Sequence, residues 1–539
     1  MPLPSHAALR YVKGSFPDGT EARAPLNAKP KAPRIPRPER EVEIKLLADP
    51  ADLPRIAALS LVRERLVMQA EPARQHTAYY DTPGLALAKR GLALRLRRQG
   101  MKREQSVKTM SSGEAGDGAG IAVRREWRWD VAGDGLDAGL LRQGDLSELI
   151  PADALDSLSP LFTTDVQRTI LLLRAGDEGR VELALDLGQA LVMSPDGQPS
   201  ARHTISEVEL ELKQGEVADL FRLAADIHAR VPLRLSTRSK ADLGLALLTG
   251  AQPRAHAVRP LGITPITTVM EAFRHIGRNG LAHLLDNQPA FTDGMGDPAA
   301  LREMASAVRR LITAYSLFAD LIHTDQGDAL RDQLKVLGRK LEKARDWQKL
   351  AMALTELPQE ARKGAVGPVS AARAKALDKA MRLLSSPEWT GWQLEFAAWL
   401  EAGDWAQQPH GCPFGTTLSE IAGDMLRQRL EALRAVGLPG DVATAIKAHK
   451  RLRKLRYDLD FCRAVWPAER VDPLQRAVDA LRTPLKQVAD DMNAAGLLDK
   501  IEQSAAADAL RKRAAAALKP LPALWTAFLA ADVVAAVAA

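Results

Sequence analysis

From Glu41 to about Lys213 apolar and polar residues alternate in several short runs, a period of two that predicts strands with different chemistry on their two faces. In EREVEIKLLADP, Glu41, Glu43 and Lys45 take every second position, with Val42, Ile44 and Leu46 between them. GLALRLRRQ sets Arg95 and Arg97 against Leu94 and Leu96, and AVRREWRWDV sets Arg124, Glu126 and Arg128 against Arg125, Trp127 and Trp129. VELALDLG places Glu182 and Asp186 opposite Val181, Leu183 and Leu185. ISEVELELKQG repeats the first device, with Glu207, Glu209, Glu211 and Lys213 on one face and Val208, Leu210 and Leu212 on the other. YYDTPG reads as a turn and SSGEAGDGAG as a Gly-rich hairpin loop; the latter lacks the Gly-Lys-Ser/Thr ending of a nucleotide-binding loop. After about Gly250 the period becomes helical. In EMASAVRRLITAYSLFADLI, Met304, Val308, Leu311, Tyr315, Phe318 and Ile322 recur three or four apart on one face, which predicts a helical bundle for this half.

A single alternating strand is explained by an open antiparallel sheet with one wet face. Strand propensity argues against that here, because Asp, Glu and Lys are depleted in strands and like charges two apart repel. A closed antiparallel barrel with a polar interior accounts for every run, its apolar residues pointing outward under helices. The inward set then sorts by sign. Glu41, Glu43, Asp186, Glu207, Glu209 and Glu211 are hard oxygen ligands suited to Mg2+ or Mn2+, and Lys45, Arg95, Arg97, Lys108, Arg124, Arg168, Lys213 and Lys240 are phosphate donors. Guanidinium forks facing a carboxylate cluster suit a chain of phosphates.

At 539 residues the chain is too long for one core, and the change of period divides it in two. The reading is an α+β chain: a basic, Pro-rich disordered tail over 1–40, a strand domain over 41–250, a linker over 251–265 and a helical domain over 266–539. The net charge of +7 does not imply nucleic acid, because the first forty residues hold eight Lys/Arg against three Asp/Glu. That tail lacks the apolar core of a secretory signal, and no later run is long and apolar enough to span a membrane, so the expected location is the cytoplasm. The two cysteines, Cys412 and Cys462, have no partner at metal-ligand spacing.

These residues resemble the CYTH domain of the triphosphate tunnel metalloenzymes. Glu41-x-Glu43-x-Lys45 matches the family signature, and YYDTPGLALAKRGLALRLRR, SVKT, RREW, VELALDLG, ISEVELELKQG and STRSKADLG follow in family order over 41 to about 247. The resemblance implies an eight-stranded antiparallel tunnel that hydrolyses triphosphates with a divalent metal. Glu41 and Glu43, with Glu207, Glu209 or Glu211, would hold metal, Asp186 stands at an acidic tunnel position, and the Lys/Arg set would grip phosphate. Arg128 departs from the pattern, which often has an acid there. Residues 266 to about 500 are similar to a CHAD domain, the helical partner associated with polyphosphate. DPAALREMASAVRRLITAYSLF and AIKAHKRLRKLRYDLDF align with its two His/Arg-bearing helices, but Arg302 and Ile446 stand at the His positions and Ala305 and His449 at the Arg positions. EKARDW keeps an Arg345-Asp346 pair, and Arg309, Arg310, Arg339, Lys447, Lys450, Arg451 and Lys454 are candidates for holding a polyanion.

The expected activity is hydrolysis of inorganic triphosphate or a short polyphosphate by positioning and charge neutralisation. Glu41, Glu43, Lys45 and Glu209 are the catalytic candidates, Glu209 orienting the attacking water. A polyphosphate receptor with little turnover is one alternative; an enzyme acting on thiamine triphosphate or ATP is another.

Overall fold

The computed structural model describes residues 11–12, 39–110, 121–194, 198–294, 296–406, 412–413 and 415–530. Most of the expected basic tail and the whole of the expected Gly-rich loop lie outside the described residues. Two compact units meet in sequence at Gln252 and Pro253.

In the first unit eight strands close on themselves: β1 (Glu39–Leu47), β2 (Ala73–Asp81), β3 (Leu92–Gln99), β4 (Lys102–Thr109), β5 (Ile121–Asp130), β6 (Ser159–Ala175), β7 (Gly179–Met193) and β8 (Pro199–Gly215). Around the barrel the order is β8-β7-β6-β2-β3-β4-β5-β1, every pair antiparallel, and β8 returns to β1 with Glu207 opposite Leu47, Glu209 opposite Lys45 and Glu211 opposite Glu43. A three-residue strand, Arg234–Ser236, also pairs with β1, and the two residues Tyr11–Val12 pair with Gln214 and Gly215.

Alternation explains the layering. Inward residues are mostly charged or polar, and outward residues form a shell of apolar side chains buried under helices and turns. Leu94, Val107, Trp127 and Trp129 pack against Leu140, Leu141, Leu146 and Ile150 from the β5–β6 connection. Val208, Leu210 and Leu212 are buried beside helix α1 (Val217–His228), whose Leu220, Phe221 and Ala224 are also buried. At roughly 25 cal/mol per Å2, this outer shell supplies the stabilisation that a charged interior cannot. Asp81 fixes the turn after β2 by accepting hydrogen bonds from the backbone N–H groups of Thr82, Leu87 and Ala88 at 2.7–2.9 Å. Helix α2 (Lys240–Thr249) starts with a capping box between Ser239 and Asp242, which aims Lys240, its first residue, at the barrel interior.

The second unit is helical. Its helices of ten residues or longer are α3 (Val269–Thr292), α4 (Pro298–Leu317), α5 (Asp325–Thr355), α6 (Val366–Leu384), α7 (Pro387–Ala402), α8 (Leu418–Arg434), α9 (Val442–Cys462), α10 (Ala468–Asp499), α11 (Ser504–Ala517) and α12 (Leu521–Ala530). Two features differ from the periodicity. Helix α4 ends at Leu317, although Phe318 and Ile322 continue the apolar stripe and are buried. The expected linker is partly strapped to α3: Asn287 gives and takes one hydrogen bond each with the His256 backbone at 2.9 Å, and Arg259 pairs with Asp286 at 2.7 Å.

Candidate functional site

Because β-strand side chains alternate, the eight strands turn one face each to a cavity of about 270 Å3 inside the barrel, charged on every strand but β2, which contributes Gln75, Thr77 and Tyr79. The walls differ in sign. On β3, β4 and β5 stand Arg95, Arg97, Lys108, Arg124 and Arg128, with Glu104 and Glu126 between them. On β1, β6, β7, β8 and the start of α2 stand Lys45, Arg168, Lys213 and Lys240, facing Glu41, Glu43, Glu182, Asp186, Glu207, Glu209 and Glu211. Cations are in excess on the first wall and carboxylates on the second.

The second wall has a dense centre. Lys240 Nζ lies 2.7 Å from Asp186 Oδ2, 2.7 Å from Glu207 Oε2 and 2.8 Å from Glu209 Oε1. Lys45 Nζ reaches Glu207 Oε2 at 2.8 Å and also bonds Glu209. Arg168 grips Asp186 with two parallel bonds of 2.7 and 2.6 Å and donates to Glu209 as well. Burial alone would raise these carboxyls, but Lys240, Lys45 and Arg168 hold Glu209 well below the usual range, and Lys240 with its neighbours also lowers Asp186 and Glu207.

Around Glu43 the balance runs the other way. Burial, with Glu41 and Glu209 nearby, raises its carboxyl despite the 2.9 Å bond from Arg124. Burial and Glu41 raise Glu211 in the same sense, although Lys213 lies 2.6 Å away. Glu41 itself is held low by Lys108 at 2.6 Å, against the effect of burial. On the opposite wall Glu126, 1% exposed, takes Arg95 at 2.9 Å, Arg128 at 2.6 Å and Lys108 at 3.4 Å. Arg97 has no such partner: its nearest carboxylate is Glu104 at 3.8 Å, and its Nε is buried without a hydrogen bond. Burial, Arg95 and Arg168 push its guanidinium down to about 10.

The donor set fits a hard divalent cation. Asp186, Glu207 and Glu209 each offer an oxygen within 4.8 Å of the others, and Glu207 Oε1 is buried without a hydrogen-bond partner. That cluster is already matched by Lys45, Lys240 and Arg168, whereas Glu43 and Glu211 carry the unbalanced negative charge, so we place the demand for a cation nearer β1 and the β8 segment facing it.

All the strand-domain candidates come together here; Asp186 and Glu207 are buried immediately behind the cavity lining. Glu126, Arg128 and Glu182 take part too, although the sequence reading gave them no site role. Their signal was present, since each lies on the charged face of an alternating run.

The helical unit holds a second charged cavity, of about 400 Å3, drawn from α4, α5, α9 and α10. Arg302, Arg309, Arg345, Lys349, Arg453, Arg456, Arg482 and Lys486 line it against Glu303 and Asp490. His449 also lines it, held neutral to about 4 by burial and Arg453. Of the seven helical candidates only Arg309 lies here. Arg310 is buried against Asp460 and over the Phe461 ring, Arg339, Lys447, Lys450 and Arg451 are exposed, and Lys454 is half-buried outside the cavity lining.

Residues 39–243 match the CYTH domain family and residues 275–499 the CHAD domain family. An inorganic triphosphatase of Haemophilus influenzae is 29% identical over 213 residues, 39% of this chain and 55% of that protein, so the match spans about half the relative's length. The crystal structure of the CHAD domain from the plant Ricinus communis is 23% identical and covers 51% of this chain and 97% of its own, with a TM-score of 0.44. A putative adenylyl cyclase from Hippeastrum, described as having a dominant triphosphatase activity, is 20% identical over 38% of this chain and 95% of its own, with a TM-score of 0.29. In one chain, therefore, a CYTH domain is followed by a CHAD domain.

Proposed function

We propose that the tunnel hydrolyses inorganic triphosphate, or a closely related short polyphosphate, with a divalent metal. The observation that carries this reading is the division of one closed cavity into a cation-rich and a carboxylate-rich wall, with Arg97 left without a close counter-ion. A linear triphosphate meets both demands: its oxygens satisfy guanidinium forks along β3–β5, and it presents oxygens to a metal on the other side. The curated relative's activity supports the same class of chemistry.

Arg95, Arg97, Lys108 and Arg124 would fix the phosphates in line, so that little reorganisation remains for the reaction step. Glu41, Glu43, Glu209 and Glu211 would hold Mg2+ or Mn2+. The ion would supply charge neutralisation at the phosphate oxygens. Glu209 would orient the attacking water once its lysine partners turn to substrate.

An inorganic substrate is favoured over a nucleotide by the lining. Among the described lining residues Tyr79 alone is aromatic, and one face of its ring is stacked on Phe162 at 4.7 Å. The helical cavity, with cations from four helices, is proposed to bind the longer polyphosphate chain.

The test is phosphate release from a panel of triphosphate, ATP, thiamine triphosphate and long-chain polyphosphate, each with Mg2+ or Mn2+. We expect triphosphate to show the highest kcat/KM. A higher value for ATP or thiamine triphosphate would replace the substrate assignment, and binding of polyphosphate without release of phosphate from any substrate would favour the receptor reading.

A further inference from the structure

In the tunnel the oxygens best grouped for a divalent cation bond the protein's own ammonium groups. Lys240 touches Asp186, Glu207 and Glu209, and Lys45 touches Glu207 and Glu209. A divalent ion approaching these oxygens meets two ammoniums at hydrogen-bond distance, a like-charge contact in a buried site. Both ammoniums line the cavity with side chains only 6% and 12% exposed, so the carboxylates outcompete water for them. An incoming phosphate chain changes this by offering the ammoniums new anionic partners inside the same cavity.

We infer that Lys45 and Lys240 keep Glu209, the carboxylate that this cluster shares with the Glu41-Glu43-Glu211 metal set, closed to divalent cations until an anionic substrate draws them off, so that metal and triphosphate bind with positive coupling. The two lysines are positioning residues that exchange carboxylate for phosphate as the site fills. Arg168 stays, because its two parallel bonds to Asp186 anchor it to the wall. By linkage the coupling is reciprocal: whatever factor triphosphate adds to metal affinity, metal adds to triphosphate affinity. The inference rests on reading the tunnel as a triphosphate site.

The experiment is calorimetric titration of the full chain with Mn2+, alone and with a non-hydrolysable imido-bridged triphosphate. We expect the analogue to tighten Mn2+ binding by about tenfold or more. Lys240→Met should tighten Mn2+ binding to the ligand-free chain and shrink the coupling factor, and Lys45→Met should act in the same sense if the first variant does not fold. Coupling below about twofold in the parent chain overturns the inference whatever the variants do. So does coupling unchanged in Lys240→Met, which would arise from direct contact of metal with phosphate, or Mn2+ affinity in the ligand-free variant that is equal or weaker. If the analogue fails to bind with or without Mn2+, the triphosphate reading fails instead, and the ligand-free comparison still decides what the lysines do.

Discussion

Glu126 holds three cations on one buried carboxylate, and that arrangement sets the geometry of the β5 wall: Arg95, Lys108 and Arg128 are all tied back to it. Charge spacing in the sequence could place Glu126 on the inward face, but a chain read one strand at a time does not show that Arg95 on β3 and Lys108 on β4 reach the two oxygens of the same carboxylate. The helical cavity was less legible for the same reason. Its cations come from four helices, and spacing within any one helix marks both the cavity side and the solvent side as basic, so Lys447 and Lys450 looked as good as Arg453. Asp458 was not legible at all. It is fully buried, takes one bond from Arg429 at 2.9 Å, and leaves its second oxygen without a partner, so burial raises it to about 7 despite the guanidinium. Its folded value exceeds the unfolded one, near 3.9. The stability its proton provides is therefore complete below about pH 4 and is lost as the pH rises through about 7. Asp458→Asn cannot ionise, so from about pH 4 to about pH 7 the Tm of the parent should fall relative to the variant's. A Tm difference independent of pH in thermal melts would contradict this assignment.

At the scale of elements, β1, β3, β5, β7 and β8 were legible because a charged inner face forces a period of two on each, whereas β2, with Gln75, Thr77 and Tyr79 inward, and β6, with Arg168 between Val166 and Ile170, carry no such charge pattern. The end of α4 was not, since the apolar stripe carries on past the break at Phe318 and periodicity records only which residues are buried. The seating of α2 is equally invisible in the sequence, and it depends on one glycine. A Cβ on Gly244 would stand 1.9 Å from the Phe162 ring, which is itself stacked on Tyr79, so the helix lies as close to the barrel as backbone permits. Because α2 carries Lys240 at its first position, moving the helix moves that ammonium. Gly244→Ala should cost about 1–3 kcal/mol of stability by overpacking and lower kcat/KM together with it. Phe162→Leu in the same chain should recover part of both. Unchanged melting and kinetics in Gly244→Ala would show that the helix position does not matter to the site.

At the scale of the molecule, the two-part organisation follows from a change of hydrophobic period near residue 250, and the structure divides the chain at Gln252 and Pro253. No helix among the described residues is long and apolar enough to cross a membrane. Charged faces from seven of the eight strands converge inside one closed barrel, where positioning and charge neutralisation would act on a phosphate chain. The most direct test is phosphate release from triphosphate by purified Glu43→Ala and Lys45→Ala variants whose circular dichroism matches the parent's. Turnover should fall by about a hundredfold or more in both. Turnover at the parent rate in both would contradict the triphosphate reading.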